Sequence, residues 1–198
     1  MTDTEIKITP IRLATIELRI RGTAPLIQHA WSKKGRDMLR MSAAERRKIP
    51  KTERNPEEEA KAATYFTSDG TYAIPAMGVK SAMIAVAHKD LGFPKTVIRK
   101  AVRFHTSEEI PMEASDPLIR EDIVRVGNQQ ADIRYRPEFR DWAAVIRISY
   151  DTEALNPQDL VNLVDRAGFA VGLGEWRPER DGEFGTFEVD REFGVKQV

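Results

Sequence analysis

The sequence predicts an α+β fold in which two helices cover one face of an antiparallel sheet. Three observations indicate it. Apolar Ile16, Leu18 and Ile20 alternate with charged residues, as in a half-buried strand. The segment 75–90 repeats apolar residues at three- and four-residue spacing, as in an amphipathic helix. The C-terminal third then repeats the order strand, helix, strand, so the chain carries a βαββαβ frame.

The first half of this frame begins with the strand Ile11–Arg21, which Gly22 and Pro25 end. A tight turn at Asp69-Gly70 predicts a short hairpin between residues 65–67 and 72–74. Pro75 then opens the first helix. We expect its buried stripe to comprise Val79, Ala82, Met83, Val86 and Ala87.

The second half begins with the strand Trp142–Tyr150, and the segment before it is predicted to be irregular. Asn156 is a good N-cap for the second helix, with Pro157 at the first helical position, and Gly168 is expected to end it. Glycine-rich turns at 172–178 and 182–185 precede the last strand, Thr186–Val189. The expected result is a ferredoxin-like sheet whose other face is open and charged, a platform of the kind that binds single-stranded nucleic acid.

Composition excludes several classes of protein. The 198 residues are 41% hydrophobic, which suits one folded domain, 1–198. The chain has no cysteine, and this excludes disulfide frameworks, thiolate zinc sites, iron–sulfur clusters and thiol nucleophiles. No apolar run approaches the length of a membrane span or a signal peptide. We expect a soluble cytoplasmic protein with no cofactor, no bound metal and no membrane partner.

Charge is unevenly distributed although 31 basic and 31 acidic residues cancel. Residues 32–55 contain nine Lys or Arg against three Asp or Glu, about +6 in one stretch. Few large apolar residues occur there, so we expect residues 32–60 to form a basic, mobile insertion after the first strand. Each cation that neutralises a phosphate would release a counterion, which suits nucleic-acid binding. A solvated surface loop is the alternative.

Two motifs resemble the RAMP superfamily of CRISPR-associated proteins. The run IPAMGVKSA, residues 74–82, is similar to the family's I-P-G-S-S-[LI]-K-G-[AL] segment at the start of its first helix. The glycine-rich run 172–187 resembles the family's loop before the last strand. The resemblance implies an RRM/RAMP-like fold and a non-enzymatic protein that stacks head-to-tail along single-stranded nucleic acid. The chain is similar to a CRISPR effector backbone subunit but shorter than most of them, so a stand-alone member from a phage or other mobile element also fits.

The expected ligand is single-stranded RNA or DNA, and the expected partners are copies of this chain and other subunits of a nucleoprotein complex. Lys and Arg would hold phosphates, whereas His29 and the tryptophans would stack on bases. Acidic neighbours could pair with the central arginines instead. The candidate contacts are Gln28, His29, Trp31, Lys33, Lys34, Arg36, Arg46, Arg47, Lys48, Lys80, Arg125, Arg134, Arg136, Trp176 and Arg177.

Two other functions compete with this one. Endoribonucleases related to RAMP proteins often carry a histidine soon after the first strand, and His29 occupies that place as a possible general acid or base. Alternatively, the protein is an interaction subunit of a larger complex and has no nucleic-acid contact of its own. A steep fall of affinity with salt would distinguish binding from the second alternative.

Overall fold

A computed structural model describes residues 10–31, 33–42, 45, 54–105, 108–126 and 130–198. The helices are α1 Lys33–Arg40, α2 Pro56–Ala62, α3 Ala76–Leu91, α4 Lys95–Ala101 and α5 Pro157–Ala170, with a 3-10 turn at Pro178–Arg180. The strands are β1 Leu13–Gly22, β2 Leu26–Ile27, β3 Ala73–Pro75, β4 Val102–Phe104, β5 Glu109–Ala114, β6 Leu118–Val126, β7 Gln130–Phe139, β8 Trp142–Asp151, β9 Phe187–Val189 and β10 Val195–Gln197. Within the described ranges, no helix is both long enough and apolar enough to span a membrane.

The main sheet is built around β1 and β8, which pair antiparallel along most of their length. Strands β9 and β10 pair with the other edge of β1. Strands β4 and β5 pair with the other edge of β8, and β3 lies beyond β5. In the first strand–helix–strand unit, β1–α3–β5, the two strands are therefore separated by β8. In the second unit, β8–α5–β9, the two strands are separated by β1. This is the ferredoxin-like arrangement, and the predicted fold class is confirmed.

Helices α3 and α5 pack against each other over one face of this sheet. The apolar residues of β1 that alternate with charge, Ile16, Leu18 and Ile20, are all buried beneath them. The predicted stripe of α3 is also entirely buried. Pro75 precedes the helix as expected, and Gly92 ends it in the left-handed conformation with φ +74°. These elements could be predicted from the sequence because each buries only one face, which gives a periodic pattern of apolar residues.

Helix α5 begins as predicted but ends later. The Asn156 side chain accepts a hydrogen bond from the Asp159 amide at 2.8 Å, and Pro157 occupies the first turn. Gly168, however, does not end the helix, which continues to Ala170. A Cβ atom at Gly168 would lie 2.0 Å from the Phe187 carbonyl oxygen. This glycine is therefore required for close packing of α5 on β9 and not for a turn.

The segment before β8, predicted to be irregular, is instead a long hairpin. Strands β6 and β7 pair from Leu118 opposite Glu138 to Val126 opposite Gln130, and β2 pairs with the far edge of β7. Charged and apolar residues occur on both faces of this hairpin, so its sequence lacks simple alternation. Helix α2, at the end of the basic insertion, packs against β7 and buries Ala60. This end of the insertion is thus part of the folded domain.

Candidate nucleic-acid interface

Three segments that the sequence analysis selected separately line one cleft of about 200 Å³. They are the chain after β2, the start of α3 and the glycine-rich loop 172–178. Helix α3 contributes Gly78, where the absence of a side chain leaves room. The lining residues are Leu26, Gln28, His29, Tyr65, Ile74, Pro75, Gly78, Leu173, Gly174, Glu175 and Arg177. The cleft is smaller than a site for a drug-sized molecule, so it suits a single chemical group of a larger ligand.

The glycine-rich loop is held against β2 by main-chain contacts. The Glu175 amide donates to the Ile27 carbonyl at 2.9 Å, and the Leu173 amide donates to the Gly185 carbonyl at 2.9 Å. Gly174 has φ +71°, and a Cβ atom there would lie 2.1 Å from the Ile27 oxygen. Glycine is required at this position both for its backbone conformation and for the close approach. The loop thereby places the Glu175 side chain in the cleft.

A polar network crosses the cleft wall from His29 into the hairpin. Nδ1 of His29 lies 3.3 Å from Oε1 of Glu175 and 3.4 Å from Nη2 of Arg136. The hydrogen bond with His29, together with the charge of Arg136, outweighs burial and lowers the pKa of Glu175. Nδ1 cannot donate to Glu175 and accept from Arg136 at once, so these two contacts are alternative hydrogen bonds of the same nitrogen.

Arg136 and Asp122 form the buried end of this network. Their side chains are 6% and 5% exposed, and Nη1 of Arg136 lies 3.0 Å from Oδ2 of Asp122. Arg120 contacts the other carboxylate oxygen at 2.7 Å. Burial would raise the pKa of Asp122, but the hydrogen bonds from Arg120 and Arg136 outweigh it and lower that pKa. Arg136 was predicted to line a groove, and the structure places it in a buried ion pair instead.

Four other predicted contacts are occupied within the fold. The buried Gln28 amide donates to the Ala73 carbonyl at 2.8 Å and accepts from the Tyr65 amide at 2.9 Å. Lys80 donates to the Val102 carbonyl at 2.8 Å, at the end of α4. Arg134 pairs with Asp132 at 2.9 Å, and Arg177 pairs with Glu179 at 2.7 Å. Arg134 and Arg136 therefore pair with acidic neighbours, which is the alternative that the sequence analysis gave for the central arginines.

The remaining predicted contacts are exposed or undescribed. Trp31 is 63% exposed and Trp176 is 41% exposed. Arg36 and Arg125 are exposed. The side chains of Lys33 and Lys34, and the whole of Arg46, Arg47 and Lys48, lie outside the described residues.

The cleft also contains Tyr65 and Glu175, which the sequence analysis did not select. Glu175 lies inside the glycine-rich run, next to Trp176, and this position is the only signal for it in the sequence. Tyr65 has no such signal.

The open face of the main sheet is covered by ion pairs. Arg19 of β1 contacts both Glu113 and Asp190, at 2.6 and 2.7 Å. On the same face, Arg147 contacts Glu17 at 2.7 Å. These arginines already have carboxylate partners, so a phosphate would have to displace the carboxylates. The charge of the predicted platform is therefore largely compensated, which makes this face poorly suited to a polyanion.

No protein-family model matches the sequence, and no curated protein does so. Among solved structures, the chain is similar to one in the cryo-EM structure of the type III-B Cmr-beta bound to cognate target RNA. The TM-score is 0.54 at 10% identity, over 94% of this chain and 61% of that one. It also resembles Cmr6 from Pyrococcus furiosus, with a TM-score of 0.45 at 9% identity, over 90% of this chain and 98% of that one.

The first of these likenesses confirms the RAMP-like fold that the two motifs implied. At 10% identity it shows the fold alone. This chain spans about three fifths of the length of the Cmr-beta chain that it matches.

Proposed function

We propose that this protein binds single-stranded nucleic acid without cleaving it. The observation that supports this most strongly is the convergence of His29, the start of α3 and the glycine-rich loop on one cleft. Exposed Trp31 and Trp176 lie two residues after His29 and one residue after Glu175, so each flanks the cleft along the chain. Exposed aromatic residues this near in sequence to residues of the cleft suit bases that stack outside the cleft while one group enters it.

RNA is the first ligand to test, because the structurally similar Cmr-beta is bound to target RNA. Single-stranded DNA remains within the proposal, since the contacts that would recognise a 2′-hydroxyl are not identified. Phosphates would be held by the basic segment after β2, to which Arg36 belongs. The exposed Arg125 of the hairpin would add a contact. Binding of this kind weakens steeply as the salt concentration rises.

Binding can be measured by fluorescence polarisation of labelled rU20 and dT20 at several salt concentrations. Trp31→Ala and Trp176→Ala should each weaken binding about tenfold, the effect of losing one stacked base. Phe169→Ala is a matched control, because Phe169 is 71% exposed on α5 and lies outside the cleft lining. Salt-independent affinity, or equal effects of all three variants, would contradict the proposal and favour an interaction subunit without a nucleic-acid contact.

The proposal includes head-to-tail assembly along the strand. A repeating contact of this type uses two different surfaces of each copy, so the assembly grows with ligand length. Mass photometry of the protein with rU10, rU20 and rU40 tests this directly. We expect the number of bound copies to increase with oligonucleotide length. One copy on every oligonucleotide would restrict the function to monomeric binding.

Endoribonuclease activity is the second candidate, and the geometry of His29 favours it over other enzymatic functions. His29 contacts Glu175 and shares the cleft with Tyr65, so groups able to exchange protons surround one space. Labelled RNA incubated with the protein in EDTA tests for metal-independent cleavage. We expect intact RNA and retained binding after His29→Ala. Cleavage by the wild type that disappears in His29→Ala would replace the binding function with this one.

A further inference from the structure

A second concave surface lies between α3 and α4, and it is larger than the cleft. This helix groove has a volume of about 490 Å³. Its floor is aliphatic: Met77 is 64% exposed, and Ile84 and Ala85 are half-buried. The lining residues are Met77, Lys80, Ser81, Ile84, Ala85, Lys95 and Arg99. Methionine is flexible and polarizable, and it is common on surfaces that adapt to different protein partners.

The rim of the helix groove is basic and lacks compensating acids. Helix α4, with the sequence KTVIRKA, contains Lys95, Arg99 and Lys100 and no carboxylate, and Lys95 and Arg99 line the groove. Within the described part of the chain, none of these three forms an ion pair with Asp or Glu. The arginines of the open sheet face, in contrast, are paired with carboxylates. The positive charge of this rim is therefore available to a partner.

The position of α4 against α3 is fixed by hydrogen bonds at its C-terminal end. Lys80 of α3 donates to the Arg99 and Val102 carbonyls at 3.3 and 2.8 Å. Arg103 donates to the same two carbonyls at 3.1 and 2.9 Å. Burial, and then the charge of Arg103, lowers the pKa of Lys80. These bonds hold the aliphatic floor and the basic rim in one arrangement before any partner binds.

We propose that the helix groove docks an acidic amphipathic segment of another protein. Leucine-like side chains would cover Met77 and Ile84, while carboxylates would pair with Lys95 and Arg99. The chemistry of the lining favours this partner over nucleic acid, because the groove has no aromatic ring on which a base could stack. The proposal is independent of the cleft. Gly78 faces the cleft, whereas Met77 and Ser81 line the helix groove, so both surfaces can be occupied together.

The test uses three fluorescein-labelled peptides of 16 residues and the full-length protein. The first peptide has leucine at three- and four-residue spacing and glutamate elsewhere. The second replaces its glutamates with lysine, and the third replaces its leucines with serine. The protein variants are Lys95→Glu/Arg99→Glu and Met77→Asp. Arg180→Glu/Arg191→Glu is the matched control, because both arginines are exposed and have no acidic partner in the described residues.

We expect the first peptide alone to bind, and to bind at least tenfold more weakly to Lys95→Glu/Arg99→Glu and to Met77→Asp. The control should stay within twofold of the wild type. Unchanged affinity for rU20 would show that the variants are folded. No binding of the first peptide, or equal binding of the serine peptide, would overturn the proposal. Loss of rU20 binding in Lys95→Glu/Arg99→Glu, without peptide binding by the wild type, would assign the groove to nucleic acid instead.

Discussion

The glycine-rich loop offers a prediction whose magnitude follows from the structure. Gly174 and Gly70 both have positive φ, +71° and +87°. In a Gly174→Ala variant, the new Cβ would lie 2.1 Å from the Ile27 carbonyl oxygen, whereas Gly70→Ala would meet no atom within 4 Å. The two substitutions therefore share the cost of a left-handed alanine, about 1 to 2 kcal/mol. Only Gly174→Ala adds a collision with another strand.

The collision would force the loop away from β2. The hydrogen bond from the Glu175 amide to Ile27 would be lost, at about 1 kcal/mol. We expect Gly174→Ala to lower the free energy of unfolding by about 2 to 3 kcal/mol, and Gly70→Ala by no more than about 1 to 2 kcal/mol. Because Glu175 and Trp176 move with the loop, affinity for rU20 should fall at least tenfold in Gly174→Ala alone.

Urea unfolding followed by tryptophan fluorescence measures the stability difference, and fluorescence polarisation measures the affinity. Binding must be measured under conditions in which both variants are fully folded. Equal destabilisation by the two alanines would refute the reasoning about loop contact with β2. A folded Gly174→Ala protein with wild-type affinity would show that the loop is not part of the binding site.

Two further variants separate the buried polar groups from the binding surface. Asp122→Asn leaves Arg136 buried without its charge partner, so we expect the free energy of unfolding to fall by about 3 kcal/mol. Glu188→Gln, in the exposed pair with Arg21, should have a much smaller effect because solvent screens that pair. The folded pKa of Asp122 is lowered, so its contribution should be complete above the unfolded value of about 3.9 and disappear as the pH falls through the folded value. Urea unfolding at pH 7 and pH 3 checks this, and an Asp122→Asn deficit that is undiminished at pH 3 would contradict it. Gln28→Ala should lower the free energy of unfolding by about 2 kcal/mol, because it leaves two main-chain groups, the Ala73 carbonyl and the Tyr65 amide, without their partner. The variant should still bind rU20 like the wild type. A large loss of affinity in the folded variant would show that Gln28 belongs to the binding site.

The parts of the fold that could be predicted are those with one buried face. Alternation in β1 and the stripe of α3 are direct consequences of a core on one side and solvent on the other. Strands β6 and β7 could not be recognised in this way. One face of this hairpin buries the pair of Arg136 and Asp122, while the other exposes Ile123 to 73%. Each face therefore mixes charged and apolar residues, and the sequence has no alternation from which a strand could be predicted.

The candidate site was predicted in its segments but not in its assembly. His29, the start of α3 and the glycine-rich loop each carried a local signal in the sequence. Their meeting depends on the pairing of β2 with β7 and on the contact between Gly174 and Ile27. Both are long-range contacts that no local pattern specifies. Gln28 was predicted to contact nucleic acid together with its neighbour His29, but adjacent residues of an extended segment point to opposite sides. Its amide accordingly points into the protein.

The distribution of paired charge explains how a chain with zero net charge can present surfaces of different character. Counterion release depends on cations that meet phosphate, and an arginine already bound to a carboxylate contributes little. Arg19 and Arg147 are compensated in this way on the sheet face. The cations of α4 are not, and the basic segment 32–55 carries an excess of about six charges. A polyanion and an acidic protein segment could therefore both be attracted to one neutral molecule, and net charge would be a poor guide to either interaction.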